Sequence, residues 1–102
     1  MSGKFGSADL LANQDNLLCQ APASLITTVT GFVVNRGTSP TGIKVAIGSG
    51  VAPAVQDYIY FGKMIEPNET FTFGPIVMSA GENLWINPND ANLSARVQGF
   101  GD

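Results

Sequence analysis

Hydrophobic and polar positions alternate along several short stretches of the chain, and turn-forming residues separate these stretches. The clearest pair lies at residues 27–35 and 42–47, where β-branched residues dominate and apolar residues take every second position of the second stretch. Residues 36–41 between them are Gly, Pro, Ser and Thr with one Arg, which are mostly turn formers. The pattern predicts a β-hairpin, and since an isolated hairpin is marginally stable in water, the rest of the chain must supply more strands.

Similar stretches recur at roughly 10-residue spacing, which is typical of an antiparallel sandwich. No window shows the 3.6-residue period of a helix over a helical length. The sequence therefore predicts an all-β fold, a single antiparallel β-sandwich of jelly-roll or Ig-like type at residues 8–102, preceded by a small, polar, glycine-rich N-terminal arm at 1–7. About eight short strands are expected, at 8–12, 17–20, 27–35, 42–47, 57–65 with a bulge or a close backbone approach at Gly62, 70–78 with a break at Gly74-Pro75, 83–86 and 93–99.

Alternation also predicts which side chains face the core and which face outward. The expected core residues are Val29, Val33, Ile43, Val45, Ile47, Ile59, Phe61, Phe71, Phe73, Leu84, Ile86, Leu93 and Val97. On this choice Phe32, Val34, Tyr60 and Trp85 point outward, and large outward apolar side chains on a small domain predict a partner surface. Two alternatives stay open: the pleat is inverted, or a loop covers these side chains.

The same alternation gives specific expectations for Asn35 and Trp85. Asn35 shares the inward side with Val29 and Val33, so its amide needs partners, and we expect it to bond backbone groups of the 36–42 turn. Trp85 lies between two core positions and should be on the outer face. We therefore expect Trp85→Ala to change folding stability by less than about 1 kcal/mol and to weaken assembly by on the order of 2 kcal/mol or more.

Composition and charge exclude several classes of protein. The 102 residues suit one domain, and only 13% of them are charged, with a net charge of −3. The five Lys and Arg residues form no cluster, which argues against nucleic-acid binding. Membrane binding is not expected, because there is no basic amphipathic helix and no stretch of ~20 apolar residues. A single cysteine and the absence of a signal-peptide pattern favour a reducing compartment.

Candidate chemistry is sparse. The chain has no His, which excludes Ser/His/Asp and Cys/His catalysis, and zinc is excluded by the number of ligands. Cys19 is expected to be a buried, inert thiol. No spacing among the carboxylates selects a glycosidase pair, and a calcium site built from Asp90, Asn87 and Asn89 would lack the full ligand pattern. The sequence therefore predicts no enzyme, no cofactor and no metal.

A succession of strands and turns is formed by residues 18–23, 29–37, 43–47, 57–59, 65–68, 78–82 and 94–100. Together these segments resemble the small β-sandwich virion proteins of tailed bacteriophages. The resemblance covers residues 17–100 and is a pattern of strands and turns rather than a catalytic motif.

The resemblance implies a non-enzymatic virion structural protein, assembled in the cytoplasm of the bacterial host. The first reading is a capsid cement or decoration protein that binds the major capsid protein or another virion protein and forms a homotrimer, since cement sits on threefold or quasi-threefold positions. Other readings are a small tail, neck or fibre component, or a carbohydrate- or receptor-binding module. In a carbohydrate-binding module Trp85 and Tyr60 would stack on a sugar ring, whereas a cement protein should bury these aromatics against a neighbour.

Overall fold

Eight β-strands form within residues 2–22 and 26–101, which are the residues described by a computed structural model of the chain. They are β1 Ser2–Asp9, β2 Asn16–Gln20, β3 Thr27–Asn35, β4 Thr41–Gly48, β5 Tyr58–Ile65, β6 Thr70–Met78, β7 Asn83–Pro88 and β8 Leu93–Gly101. A 3-10 helix at Val55–Asp57 leads into β5. The prediction of an all-β sandwich is confirmed. Met1 of the expected arm and Asp102 of the expected sandwich lie outside the described residues.

The strands form two antiparallel sheets of four, within the described part of the chain. Sheet A has the order β1-β8-β3-β6 and sheet B the order β2-β7-β4-β5. The first strand therefore pairs with the last, the second with the seventh, the third with the sixth and the fourth with the fifth. This nested pairing is that of a long hairpin rolled into two sheets, so the connectivity is a jelly roll and not the strand order of the Ig fold.

The core lies between the sheets and follows the predicted alternation in most strands. In β3 every second residue is buried, beginning with Thr27 and ending with Asn35. The inward prediction is confirmed for Val29, Val33, Ile43, Val45, Phe73, Leu84, Ile86, Leu93 and Val97, while Ile47 and Phe71 are partly buried against the same cluster. The core also includes residues that alternation did not select: Leu10, Leu18, Cys19, Ala21, Ile65, Met78 and Ala95.

The expected N-terminal arm is instead a strand. Residues 2–9 form β1, which pairs along the edge of β8 with one irregularity at Phe5, and Phe5 packs against the core. The sequence of β1 is small and polar because an edge strand needs little apolar surface. β1 is held in place by hydrogen bonds to the backbone of β8, and composition alone does not predict this pairing. The strand expected at 8–12 is therefore only the end of β1.

The break expected at Gly74-Pro75 also does not end a strand. β6 continues from Thr70 to Met78, and the irregularity is absorbed as a shift of its register against β3. Ile76 pairs with Val29, whereas Phe73 pairs with Gly31, so the bulge lies between them.

The two long sides of the sandwich are closed differently. A Cβ added to Gly6 of β1 would overlap the carbonyl oxygen of Leu18 in β2, so the two backbones meet on that side. On the other side, where β5 faces β6, aromatic side chains fill the space between the sheets. The ring of Tyr60 lies 5.1 Å from that of Phe71 at an angle of 86°, and 6.0 Å from that of Phe73. This side is therefore closed by side chains.

Candidate functional surface

The outer face of sheet B carries an apolar row that crosses all four strands. The row consists of one residue from each strand, paired in register with the next: Leu17 of β2, Trp85 of β7, Ala46 of β4 and Tyr58 of β5. The outward face of an antiparallel sheet is usually polar, so this row marks the face as unusual. The next row along the strands is mixed, and consists of Asn87, Lys44 and Phe61, with Asp15 accepting a hydrogen bond from Asn87.

Trp85 points to this outer face, as alternation predicts, but it is only 4% exposed. It is buried outside the core cluster that holds its neighbours Leu84 and Ile86. Residues 49–57 fold back over the adjacent part of the face, where Nδ2 of Asn83 donates to the carbonyl oxygen of Gly50 at 3.0 Å and the carboxylate of Asp57 lies against Gly48. Trp85 is therefore covered within its own chain. The expectation that Trp85 is exposed is wrong. The reason to expect only a small effect of Trp85→Ala on folding stability is therefore lost as well.

The faces of β5 are inverted relative to the prediction. Tyr60 lies opposite Val45 and packs against the core, whereas Ile59 is 45% exposed and Phe61 is 71% exposed. The cause is a bulge at Ile59, which has no partner in the register with β4, while a second bulge at Gly62 restores the original alternation, so that Ile65 faces the core. Each extra residue reverses the inward and outward alternation of the residues after it. The bulge predicted at Gly62 is confirmed, and its φ of 84° suits a glycine.

The exposed side chains of β5 form a surface that we call the β5 corner, defined by Ile59, Phe61 and Met64. Phe61 lies on the outer face of sheet B, edge to face with Tyr58 at 5.3 Å, and Nζ of Lys44 is 4.8 Å from its ring centre. Met64 is 53% exposed. The corner is therefore apolar and outward.

Ile59 occupies a different side of the sandwich. It lines a groove of about 430 Å³ with Tyr60 and with Gly74, Pro75 and Ile76 of β6. The β5 corner thus presents apolar side chains on two adjacent sides, the outer face of sheet B and the side where β5 faces β6.

The outer face of sheet A is more polar. Phe32 and Val34 point outward there, as predicted, and are half-buried. They border a shallow groove of about 270 Å³ with Thr70, Ser94 and Arg96. The guanidinium of Arg96 donates through Nε to Oε1 of Gln98 at 2.9 Å. Of the four predicted interface residues, Phe32 and Val34 therefore point outward and are half-buried, whereas Tyr60 packs against the core and Trp85 lies on an outer face but is buried.

Asn35 is 1% exposed and fully engaged. Its Nδ2 donates to the carbonyl oxygens of Ser39 at 2.8 Å and Ile65 at 3.0 Å, and its Oδ1 accepts from the backbone N–H of Gly37 at 2.8 Å. The prediction that this side chain bonds the turn after β3 is confirmed, and the bond to Ile65 adds a link between the sheets.

The cysteine and the carboxylates show no arrangement suited to catalysis or metal binding among the described residues. Burial raises the pKa of Cys19 to about 11, so the thiol is protonated at neutral pH and a poor nucleophile. In residues 2–22 and 26–101 no three His, Cys, Asp or Glu side chains come together, and Asp90 instead accepts a hydrogen bond from the Thr41 hydroxyl at 3.3 Å. Over the same residues, no helix has the length and apolar character needed to cross a bilayer.

Sequence reasoning missed Ile59, Phe61 and Met64 as surface residues. Gly62 indicated a bulge in β5, but Gly62 follows Phe61, and the bulge that turns Phe61 outward lies at Ile59. The fold defines the described chain as a jelly-roll β-sandwich. Comparison with known proteins gives no match to a family model, a curated protein or a solved structure.

Proposed function

We propose that the chain is a non-enzymatic structural protein of a bacteriophage virion, and in particular a capsid cement or decoration protein that binds the particle surface and stabilises it. The observation that carries the proposal is the β5 corner, where three large apolar side chains on one strand are 45–71% exposed. Clustered apolar surface of this kind is typical of protein–protein contact sites.

The carboxylates support a structural role. Three of them cap the turn in which they lie, each accepting a hydrogen bond from a backbone N–H three residues earlier. Asp57 accepts from Ala54 at 2.8 Å, Glu69 from Glu66 at 3.0 Å and Glu82 from Ser79 at 2.7 Å. These side chains stiffen loops of the sandwich and are not gathered around a pocket, which favours a rigid binding scaffold.

The sequence resemblance to phage virion proteins gives the proposal its location, which is the virion after assembly in the bacterial cytoplasm. It also gives the proposed partners, which are the major capsid protein and further copies of the chain in a trimer. The jelly roll agrees with this setting but does not select it, since viral capsid and lectin domains both use it. A tail, neck or fibre component would use the same kind of surface.

The carbohydrate-binding alternative draws less support from the structure. It relies on Trp85 and Tyr60 as stacking platforms, and Trp85 is 4% exposed while Tyr60 packs against Phe71 and the core. A sugar ring needs an accessible aromatic face, which Trp85 does not offer, and Tyr60 is half-buried with its ring against Phe71.

The test is whether the chain copurifies with intact particles from a culture that produces it, and at what ratio to the major capsid protein. A cement protein should be found at a fixed ratio on full particles and on tail-less capsids, and its addition to particles stripped of it should raise their melting temperature. Presence on tailed particles and absence from tail-less capsids would place it in the tail or neck. Absence from all particles would refute the proposal.

A further inference from the structure

The strands and the turns of the sandwich carry charges of opposite sign. Four of the five cationic side chains lie in strands: Lys4 in β1, Lys44 in β4, Lys63 in β5 and Arg96 in β8. Of the described carboxylates, only Asp9 lies in a strand, and it forms an ion pair with Arg36. The strands of this acidic chain therefore carry positive charge, which favours an anionic ligand on a sheet and not at the turns.

The outer face of sheet A combines two of these cations with hydroxyl, amide and aromatic groups. The outward residues of β3 and β8 form four register pairs, which are Thr28 with Phe100, Thr30 with Gln98, Phe32 with Arg96 and Val34 with Ser94. Further hydroxyl groups flank these pairs, from Ser7 in β1 and from Thr70 and Thr72 in β6. Lys4 is the register partner of Gln98, and its Nζ donates to Oγ of Ser7 at 3.4 Å.

Two grooves follow this face, and Arg96 lines both of them. The first has a volume of about 350 Å³ and is lined by Thr28, Thr30, Gln98 and Phe100. The second is the groove of about 270 Å³ beside Phe32 and Val34. The outward residues of β8, from Ser94 to Phe100, extend over roughly 20 Å at the usual rise of a strand. The grooves together are long and shallow, which suits a linear polymer better than an enclosed small molecule.

Arg96 is positioned to bind a carboxylate. Its Nε donates to Oε1 of Gln98 at 2.9 Å, which leaves the two terminal nitrogens of the guanidinium without a hydrogen bond to the described residues. A guanidinium with free donors binds a carboxylate through two parallel hydrogen bonds. Phe100, which lines the same groove, is 53% exposed and offers the face of its ring.

We propose that the outer face of sheet A binds a linear polysaccharide that carries carboxylates. A carboxylate binds Arg96, a sugar ring packs against Phe100, and sugar hydroxyls bond the Gln98 amide and the Thr30 hydroxyl. This site uses neither Trp85 nor Tyr60. It is independent of the proposed function, because the isolated chain should bind the polymer whether or not the chain belongs to a particle.

The chemistry of the face favours a saccharide over an acidic peptide. An extended peptide adds to a sheet through backbone hydrogen bonds at an edge strand, whereas β3 and β8 are the two inner strands of sheet A. Sugar hydroxyls both donate and accept hydrogen bonds, as do the Thr hydroxyls and the Gln98 amide of this face. The exposed ring of Phe100 supplies the apolar contact that a sugar ring needs.

Isothermal titration calorimetry of the full chain with polygalacturonate, alginate and hyaluronate tests the proposal. At least one of these carboxylated polysaccharides should bind, and its methyl ester should bind at least about tenfold more weakly because the ester has lost the charge that Arg96 recognises. The absence of binding to all three polymers overturns the inference. Poly-L-glutamate that binds as tightly as the polysaccharide also overturns it, since the face would then recognise only negative charge.

Variants locate the site. Arg96→Gln and Phe100→Ala should each weaken binding of the polysaccharide at least about tenfold. Lys44→Gln is the matched control for charge, because it removes one cation from sheet B, and Leu17→Ala is the control for apolar surface, because Leu17 is 56% exposed on that sheet. Both controls should bind like the native chain, and circular dichroism should show that all four variants are folded. Equal losses for Arg96→Gln and Lys44→Gln would show attraction by net charge alone and refute the site.

Discussion

Asn35 and Ile65 link the two sheets at one end of the sandwich, through a 3.0 Å hydrogen bond from Nδ2 of Asn35 to the carbonyl oxygen of Ile65. Asn35 ends β3 in sheet A and Ile65 ends β5 in sheet B. The same side chain holds Ser39 and Gly37 of the turn after β3, so one amide fixes that turn and the end of β5.

Replacing Asn35 with Leu should destabilise the fold strongly. The substitution leaves two carbonyl oxygens and one N–H without their partner, and an unsatisfied buried group costs ~1–3 kcal/mol. We expect a loss of about 2–4 kcal/mol, which lowers the melting temperature by several degrees or more for a domain of this size. Thermal unfolding followed by circular dichroism measures it, with Thr38→Ala in the same turn as an exposed control. An unchanged melting temperature would mean that the amide is solvated.

Trp85→Ala should cost about 3–5 kcal/mol in unfolding free energy, the range for truncating a large buried aromatic. The reason is its 4% exposure on the covered outer face of sheet B. Urea unfolding gives the difference, and Leu17→Ala, opposite Trp85 in β2 and 56% exposed, is the control that should change little. A Trp85→Ala chain as stable as the native one would show that the indole is not covered in solution.

Gly31 and Phe73 should be coupled. They are register partners in β3 and β6, and a Cβ on Gly31 would overlap the Phe73 ring. Gly31→Ala should cost about 1–3 kcal/mol through overpacking. Adding Phe73→Leu should recover part of this loss, so that the double variant is more stable than the two single effects predict. Strict additivity in a double-mutant cycle would exclude the contact.

Cys19 should make stability fall at high pH. Burial raises its pKa from 9.0 to about 11, so between these values the thiol ionises in the unfolded chain and stays protonated in the folded one. The unfolded state then binds fewer protons, and stability declines as pH rises through this window, by at most about 2–3 kcal/mol. Cys19→Ala should lack this part of the decline. Equal slopes for the two chains from pH 9 to 11 would contradict the prediction.

Strands whose alternation is uninterrupted could be assigned from the sequence, and so could the side chains that depend on them. Val29, Val33 and Asn35 take every second position of β3, and all three are buried as predicted. The hydrogen bonds of Asn35 followed from the same reasoning, since an inward amide must find partners and the nearest backbone groups belong to the next turn.

The sequence by itself determined the fold class, most strands and the inward side of β3, β4, β7 and β8, because a two-residue period and turn chemistry are local properties. Tertiary structure decided the rest. Residues 2–7 became a strand because β8 offers an edge to pair with. Trp85 became buried on the outer face of sheet B, beside the part of that face that residues 49–57 cover. Phe61 turned outward because the bulge at Ile59 shifts the register of β5 against β4. Each of these outcomes depends on which segment lies alongside another, and a periodic pattern carries no information about that neighbour.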